Sequence, residues 1–213
     1  MRLESSLRFS NNLQEQLHEL ISKDFSSESY LCQIMKECGS DKCSDWHNYT
    51  PIYSRLFEFS KDLDLNIFEL GIFKGCSIRG WERYFKNSKI FAGDISVEYL
   101  INDGKVVSYA CDQDDKSSID SLWKNFDSAE FFDIIIDDGK HEFFSNLNFL
   151  NSSIHMLKNG GIFVIEDLTI STKNEFEKII DNLKSYHKFS EIFLLDIPNV
   201  HNAVDNCLLI IRK

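Results

Sequence analysis

Phe132-Asp133-Ile134-Ile135-Ile136-Asp137-Asp138-Gly139-Lys140-His141 is the stretch on which the fold is decided. Phe132 to Ile136 is a short apolar run, and it passes directly into two acids, a glycine and a polar tail. Such a run, bounded by turn residues, reads as a strand buried on both faces, and strands of that kind belong to parallel sheets covered by crossover helices. The pattern recurs at Gly161 to Ile165, which ends in Glu166-Asp167. Ligands of open α/β sheets sit beyond the carboxyl ends of the strands. The carboxylates of Asp137, Asp138, Glu166 and Asp167 and the imidazole of His141 are therefore expected to converge on one cleft. Repulsion among them calls for a positive partner, and a divalent cation is the simplest one.

Working outward, the chain alternates in the βα manner. Strands are expected over Asn66 to Leu70, Lys89 to Gly93, Lys105 to Ala110, Phe132 to Ile136 and from Gly161, with Asn159-Gly160-Gly161 ending the preceding helix. Helices are expected from Ile78 to about Lys86, briefly from Val97, and over Ser117 to Phe126, Phe143 to Leu157 and Lys173 to Tyr186. Glu191 to Ile197 and Cys207 to Arg212 have no helical pattern between them, and strands joined without a crossover helix are normally antiparallel. The expected fold is thus a doubly wound, Rossmann-like sheet of seven strands: five parallel βα units and a C-terminal antiparallel hairpin. Ahead of it, Leu13, Leu17, Leu20 and Ile21 recur at helical spacing, a short helix covers Tyr30 to Glu37, and Thr50-Pro51 suits the cap and first position of another that runs through about Ser60. Residues 1–62 read as a helical arm or cap and residues 63–213 as the cofactor-binding domain.

A chain of 213 residues, 43% hydrophobic and 27% charged, suits one well-buried globular unit. Its formal charge of -11 argues against nucleic acid and anionic membranes as partners, since both demand basic patches. Met1 to Ser10 has no apolar stretch of signal-peptide length and no later run reaches spanning length, so a cytoplasmic protein is expected. Six scattered cysteines read as reduced thiols. Cys32, Cys38, Cys43 and His47 lie in a short window, but their spacing lacks the paired knuckles of structural zinc sites.

Glu69-Leu70-Gly71-Ile72-Phe73-Lys74-Gly75 follows the first strand. Gly71 permits a tight turn and close approach of a ligand, although Phe73 stands where a dinucleotide fingerprint wants glycine. An ordinary βα turn is the competing reading. Asp94 ends the second strand, where an acid accepts ribose hydroxyls in such folds, and Asp112-Gln113 ends the third, within reach of an adenine edge. Together they outline an adenosine-sized cleft.

These residues resemble the class I methyltransferases that use S-adenosylmethionine, and among them the macrocin and mycinamicin sugar O-methyltransferases. The shared pattern comprises Gly39-Ser40-Asp41-Lys42, His47, Tyr49-Thr50, Tyr53, Phe68-Glu69-Leu70-Gly71, Trp81, Tyr84-Phe85, Gly93-Asp94-Ile95 and Asp112-Gln113. It continues through Asp133 to Gly139, His141, Gly160-Gly161 and Ile165-Glu166-Asp167-Leu168. The resemblance implies that Asp138, Glu166 and Asp167 hold Mg²⁺ or another divalent cation, with Asp138 and His141 at the reacting centre and His141 as general base. It implies that Glu69, Gly71, Asp94, Asp112, Gln113 and Asp137 line the S-adenosylmethionine site. The acceptor it implies is a sugar hydroxyl, on a nucleotide-linked sugar, a surface-glycan precursor or a glycosylated natural product. Another oxygen acceptor (a catechol or phosphorylated metabolite) and a non-catalytic cofactor-binding module are the competing functions; a nicotinamide dehydrogenase fits worst.

Several residues carry secondary expectations. Lys140, beside the metal acids, is a candidate partner for an acceptor phosphate. His47 and Tyr49 either touch the cofactor or acceptor or simply pack, and Trp46 with the arm is a candidate surface for homo-oligomers. Asp114-Asp115 reads as a helix cap. His155, His187 and His201 read as surface or packing residues.

Overall fold

The computed structural model describes residues 4–7, 9, 12–23, 25, 29–198, 201, 202 and 204–213. The remainder of the expected arm (1–3, 8, 10, 11, 24, 26–28), with half of the Met1 to Ser10 stretch, and residues 199, 200 and 203 lie outside the described residues.

Three helices come first: α1 (Leu13–Lys23), α2 (Tyr30–Cys38) and α3 (Thr50–Phe57). Then follow β1 (Asn66–Leu70), α4 (Cys76–Tyr84), β2 (Lys89–Asp94), β3 (Val106–Ala110), α5 (Lys116–Trp123), β4 (Phe132–Asp137), α6 (Phe143–Ser153), β5 (Leu157–Ile165), α7 (Ile170–His187), β6 (Glu191–Asp196) and β7 (Cys207–Arg212). The strands form one sheet in the order β3-β2-β1-β4-β5-β7-β6. β1 to β5 pair in parallel, while β7 runs antiparallel between β5 and β6. The order reverses between β1 and β4, and a reversal of that kind opens a crevice at the strand ends.

Alternation along each strand feeds two apolar layers. In β4, Ile134 and Ile136 face the layer built with α1 to α4, whereas Ile135 faces that of α5 to α7. Both faces are thus covered, which is why the central strands carry near-continuous apolar runs. Side chains before residue 62, among them Leu17, Met35, Tyr53 and Phe57, share the first layer with the sheet.

Two boundaries differ from expectation for identifiable reasons. Gly160 and Gly161 do not begin the fifth strand but lie inside it. Gly160 takes φ +73°, and pairing with β4 slips between Phe132↔Leu157 and Ile134↔Ile162, so the glycines form a bulge. Thr50 is the first residue of α3 rather than its cap; Tyr49 precedes it and makes no side-chain capping bond. Asp115 does cap α5 through Ser117 N, but Asp114 turns to Lys140 and Ser145 instead. Among the described residues no helix is long and apolar enough to cross a membrane.

Candidate active site

The crevice at the carboxyl ends of β1, β2 and β4 holds two neighbouring cavities. One, of about 470 Å³, is lined by residues including Ser40, Asp41, Lys74, Asp138, His141 and Asp167. The other, of about 480 Å³, is lined by residues including Ile95, Cys111, Asp112, Gln113 and Lys140. Gly71, Asp94 and Gly139 line both, so the cavities meet along the turn after β1.

Gly71 lets the backbones close up there. It has φ +95°, and a Cβ would stand 1.9 Å from the Asp138 carbonyl oxygen. Asp94 braces the same turn: one carboxylate oxygen accepts from Ile72 N at 2.7 Å and Phe73 N at 3.0 Å, the other from Ser96 N at 2.8 Å. Gln113 is fixed from both ends, donating to Asp137 at 2.8 Å and accepting from Lys140 N at 2.7 Å. Asp112 accepts from Asp114 N, which shapes the loop after β3.

At the other end, Asp138, His141 and Asp167 bring ligand atoms within 4.8 Å of one another. His141 Nε2 lies 3.9 Å from Asp167 Oδ2, and its Nδ1 is buried without a hydrogen-bond partner among the described residues. Tyr49 donates to Asp167 Oδ1 at 2.8 Å, and His47 Nε2 lies 3.5 Å from Asp167 Oδ2. Phe73, His141 and Asp167 all adopt left-handed backbone conformations. Strained non-glycine residues gather where a site over-determines its geometry.

The positive partner demanded by these acids is, in the first instance, a lysine. Lys42 is 1% exposed; its ammonium lies 2.6 Å from Asp138 Oδ2, bonds Glu166, and stands 4.0 Å from Glu69. Burial opposes its charge, but attraction to Asp138, Glu166 and Glu69 overrides this and holds its pKa well above the ordinary lysine value. Three carboxylates around one ammonium, with Asp167 close behind them, remain under-neutralised. Burial, with repulsion from Asp138, accordingly raises Asp167 to about 7. Glu69 rises to about 7 through burial, against the pull of Lys42. Glu166 is pushed up in the same way.

Three expected site residues stand elsewhere. Glu166 does not join the group formed by Asp138, His141 and Asp167, because Lys42 and the Tyr53 hydroxyl occupy its two oxygens. Glu69 is fully buried and lines neither cavity; Ser77, Trp81 and Lys42 enclose it. Asp137 also lines neither cavity. As the last residue of β4 it alternates away from Asp138 and takes bonds from Gln113 and Asn146, and burial raises it to about 6. Gly71, Asp94, Asp112, Gln113, Asp138, His141 and Asp167 all line the crevice. Lys140 pairs with Asp114 at 2.7 Å and Glu142 at 3.2 Å beside the second cavity, away from the acids it was expected to accompany.

Lys42 and Tyr53 received no individual role from the sequence. Their contacts span 96, 124 and 113 residues, beyond any local pattern. The available signal was the unbalanced charge of the acids themselves.

The donor set fits a divalent cation: two carboxylates and an imidazole converge, and one nitrogen of that same ring has no hydrogen-bond partner among the described residues. No protein-family model matches the chain. It is 30% identical over 153 residues to the 8-demethyl-8-alpha-L-rhamnosyl tetracenomycin-C 2'-O-methyltransferase of Streptomyces olivaceus, covering 68% of this chain and 39% of the relative. It is 30% identical over 155 residues to the demethylmacrocin O-methyltransferase of Streptomyces fradiae, covering 67% and 37%. The chain is homologous to the macrocin-type sugar O-methyltransferases. It spans less than two fifths of the length of these relatives. Its fold is that of the class I methyltransferases. The MycE methyltransferase of the mycinamycin biosynthetic pathway, in complex with Mg and SAH, superposes with a TM-score of 0.71 at 20% identity, covering 88% of this chain and 55% of that one. The SAH-bound Podospora anserina methyltransferase PaMTH1 matches over 99% of both chains with a TM-score of 0.57 at 13% identity.

Proposed function

We propose that this macrocin-type homologue transfers a methyl group from S-adenosylmethionine to a sugar hydroxyl, with Mg²⁺ or a related divalent cation at Asp138 and Asp167. The observation that carries this reading is the pair of cavities meeting at Gly71, with the Asp138–His141–Asp167 group at one end only. The cavity with Asp112 and Gln113 suits the nucleoside, and Asp94, at the junction, keeps lone pairs for the ribose hydroxyls while bracing the turn. The cavity with Asp138 takes the methionine end and the acceptor. Residues 1–62 serve as a cap on the domain formed by 63–213; in support, Gly39, Ser40 and Asp41 line the cavity and Tyr49 reaches Asp167.

S-adenosylmethionine, when bound, supplies a methyl group already activated by its sulfonium. A divalent cation, when bound, supplies a Lewis acid that makes a neutral sugar hydroxyl easier to deprotonate. Asp138 and Asp167 hold the cation, and Tyr49 fixes the orientation of Asp167. His141 takes the acceptor proton at a ring nitrogen, a role suited to an imidazole near neutral pH. The walls of the crevice align the acceptor oxygen, which is the main requirement when the donor is activated.

Titration calorimetry with S-adenosylhomocysteine, with NAD as control, tests the cofactor. Saturable binding of the first alone is expected. Methyl transfer is then assayed on nucleotide-linked sugars, glycan precursors and glycosylated natural products, with and without chelator. Binding of NAD in place of S-adenosylhomocysteine, or chelator-insensitive turnover, would count against the reading.

A further inference from the structure

We propose that Lys42 is an internal competitor for the divalent cation: its ammonium occupies Asp138 and Glu166 and so sets how tightly the cation is held. This rests on the reading of Asp138 and Asp167 as the cation's ligands. Asp138 belongs to two sets at once, the Lys42 cluster and the Asp138–His141–Asp167 group. An ammonium and a dication therefore draw on one carboxylate, in a buried place where salt screens poorly.

Lys42 is delivered rigidly. Its backbone N–H donates to Ser40 Oγ, and its carbonyl accepts from Tyr49 N at 2.9 Å and Thr50 N at 3.2 Å. The turn after α2 is thus closed around the residue, and its side chain runs inward to the acids. The chain places a fixed positive charge in the very cluster whose excess negative charge attracts the cation.

The sign of one measurement separates competition from support. A lysine that only holds Asp138 in place would, when removed, loosen that ligand and weaken cation binding. A competing lysine, when removed, leaves Asp138 and Glu166 uncompensated and strengthens it. Mn²⁺ binding to the full chain is measured by calorimetry for wild type and Lys42→Met, with circular dichroism to establish folding. Lys42→Met is expected to bind Mn²⁺ roughly tenfold tighter or more, since like charges a few ångströms apart repel strongly when partly shielded from water. Binding by Lys42→Met where wild type shows none would support the same conclusion. Equal or weaker binding than wild type overturns the competition and leaves the cation reading standing. Binding by neither protein overturns both. Should Lys42→Met fail to fold, because buried carboxylates have lost their counter-ion, the comparison moves to the Glu166→Gln background. There Lys42→Met/Glu166→Gln must exceed Glu166→Gln in Mn²⁺ affinity by the same factor, and an equal or lower affinity overturns the proposal.

Discussion

Gly71 takes φ +95° with the Asp138 carbonyl oxygen 1.9 Å from where a Cβ would sit. Gly71→Ala must therefore move backbone rather than a pliant side chain, and it adds left-handed strain. A loss of about 2–4 kcal/mol in urea unfolding is expected, with weaker cation binding because Asp138 is displaced. An unchanged unfolding midpoint would mean that the two backbones are not in contact. Under the proposed function, His141 would act on the acceptor and not on the cofactor. His141→Gln is expected to lower kcat by roughly 10²–10⁴ while S-adenosylhomocysteine affinity, read by calorimetry, stays within about threefold. A parallel loss of both would reassign His141 to cofactor binding. Asp94 gives the converse pattern. Asp94→Ala removes the acceptor for Ile72 N and Phe73 N, so the turn loosens and S-adenosylhomocysteine affinity falls by roughly tenfold or more.

At the level of elements, the βα alternation and the closing hairpin are legible because each strand carries an apolar run and each break carries glycine or acid. The insertion of β7 between β5 and β6 is not legible, since it depends on pairings such as Ile165↔Leu209 that no local signal encodes. The strand ends named from the sequence do meet: Asp94, Asp112, Gln113, Asp138, His141 and Asp167 all reach the crevice. The acids that miss it, Glu69, Asp137 and Glu166, are withdrawn by partners distant in the chain or by the pleat, which a motif read position by position does not resolve. The helices ahead of the sheet supply several of those partners. α3 presents Tyr53, whose hydroxyl donates to Glu166 just beyond β5. Tyr53→Phe is expected to cost about 1–3 kcal/mol, the penalty for leaving a buried acceptor short of a donor. Chemical denaturation reads this directly, and a neutral result would mean that Lys42 alone satisfies Glu166.

Across the whole molecule, a net charge of -11 is compounded by carboxylates buried in the crevice and behind it, and this has a consequence for pH. Burial raises Glu69 to about 7 from 4.5, Asp137 to about 6 from 3.8 and Asp167 to about 7 from 3.8. In each case the folded state binds its proton more tightly than the unfolded chain does. The stability these groups contribute is therefore complete below their ordinary values and is lost as pH rises through about 6 to 7. The metal-free protein should melt at a higher temperature near pH 5.5 than near pH 8, provided the remaining exposed carboxylates still ionise. A divalent cation reverses the balance at Asp167, because cation and proton compete for the same oxygens and the ligand must be deprotonated. Mg²⁺ should thus raise the melting temperature most near pH 8 and hardly at all near pH 5.5, so that the pH slope flattens or changes sign. Calorimetric melts in chelator and in excess Mg²⁺ across this range measure both curves. A metal-free melting temperature that falls steadily from pH 8 to 5.5 would show that these carboxylates ionise in their ordinary range. The crevice would then already be neutralised by Lys42, and the electrostatic demand for a cation would disappear.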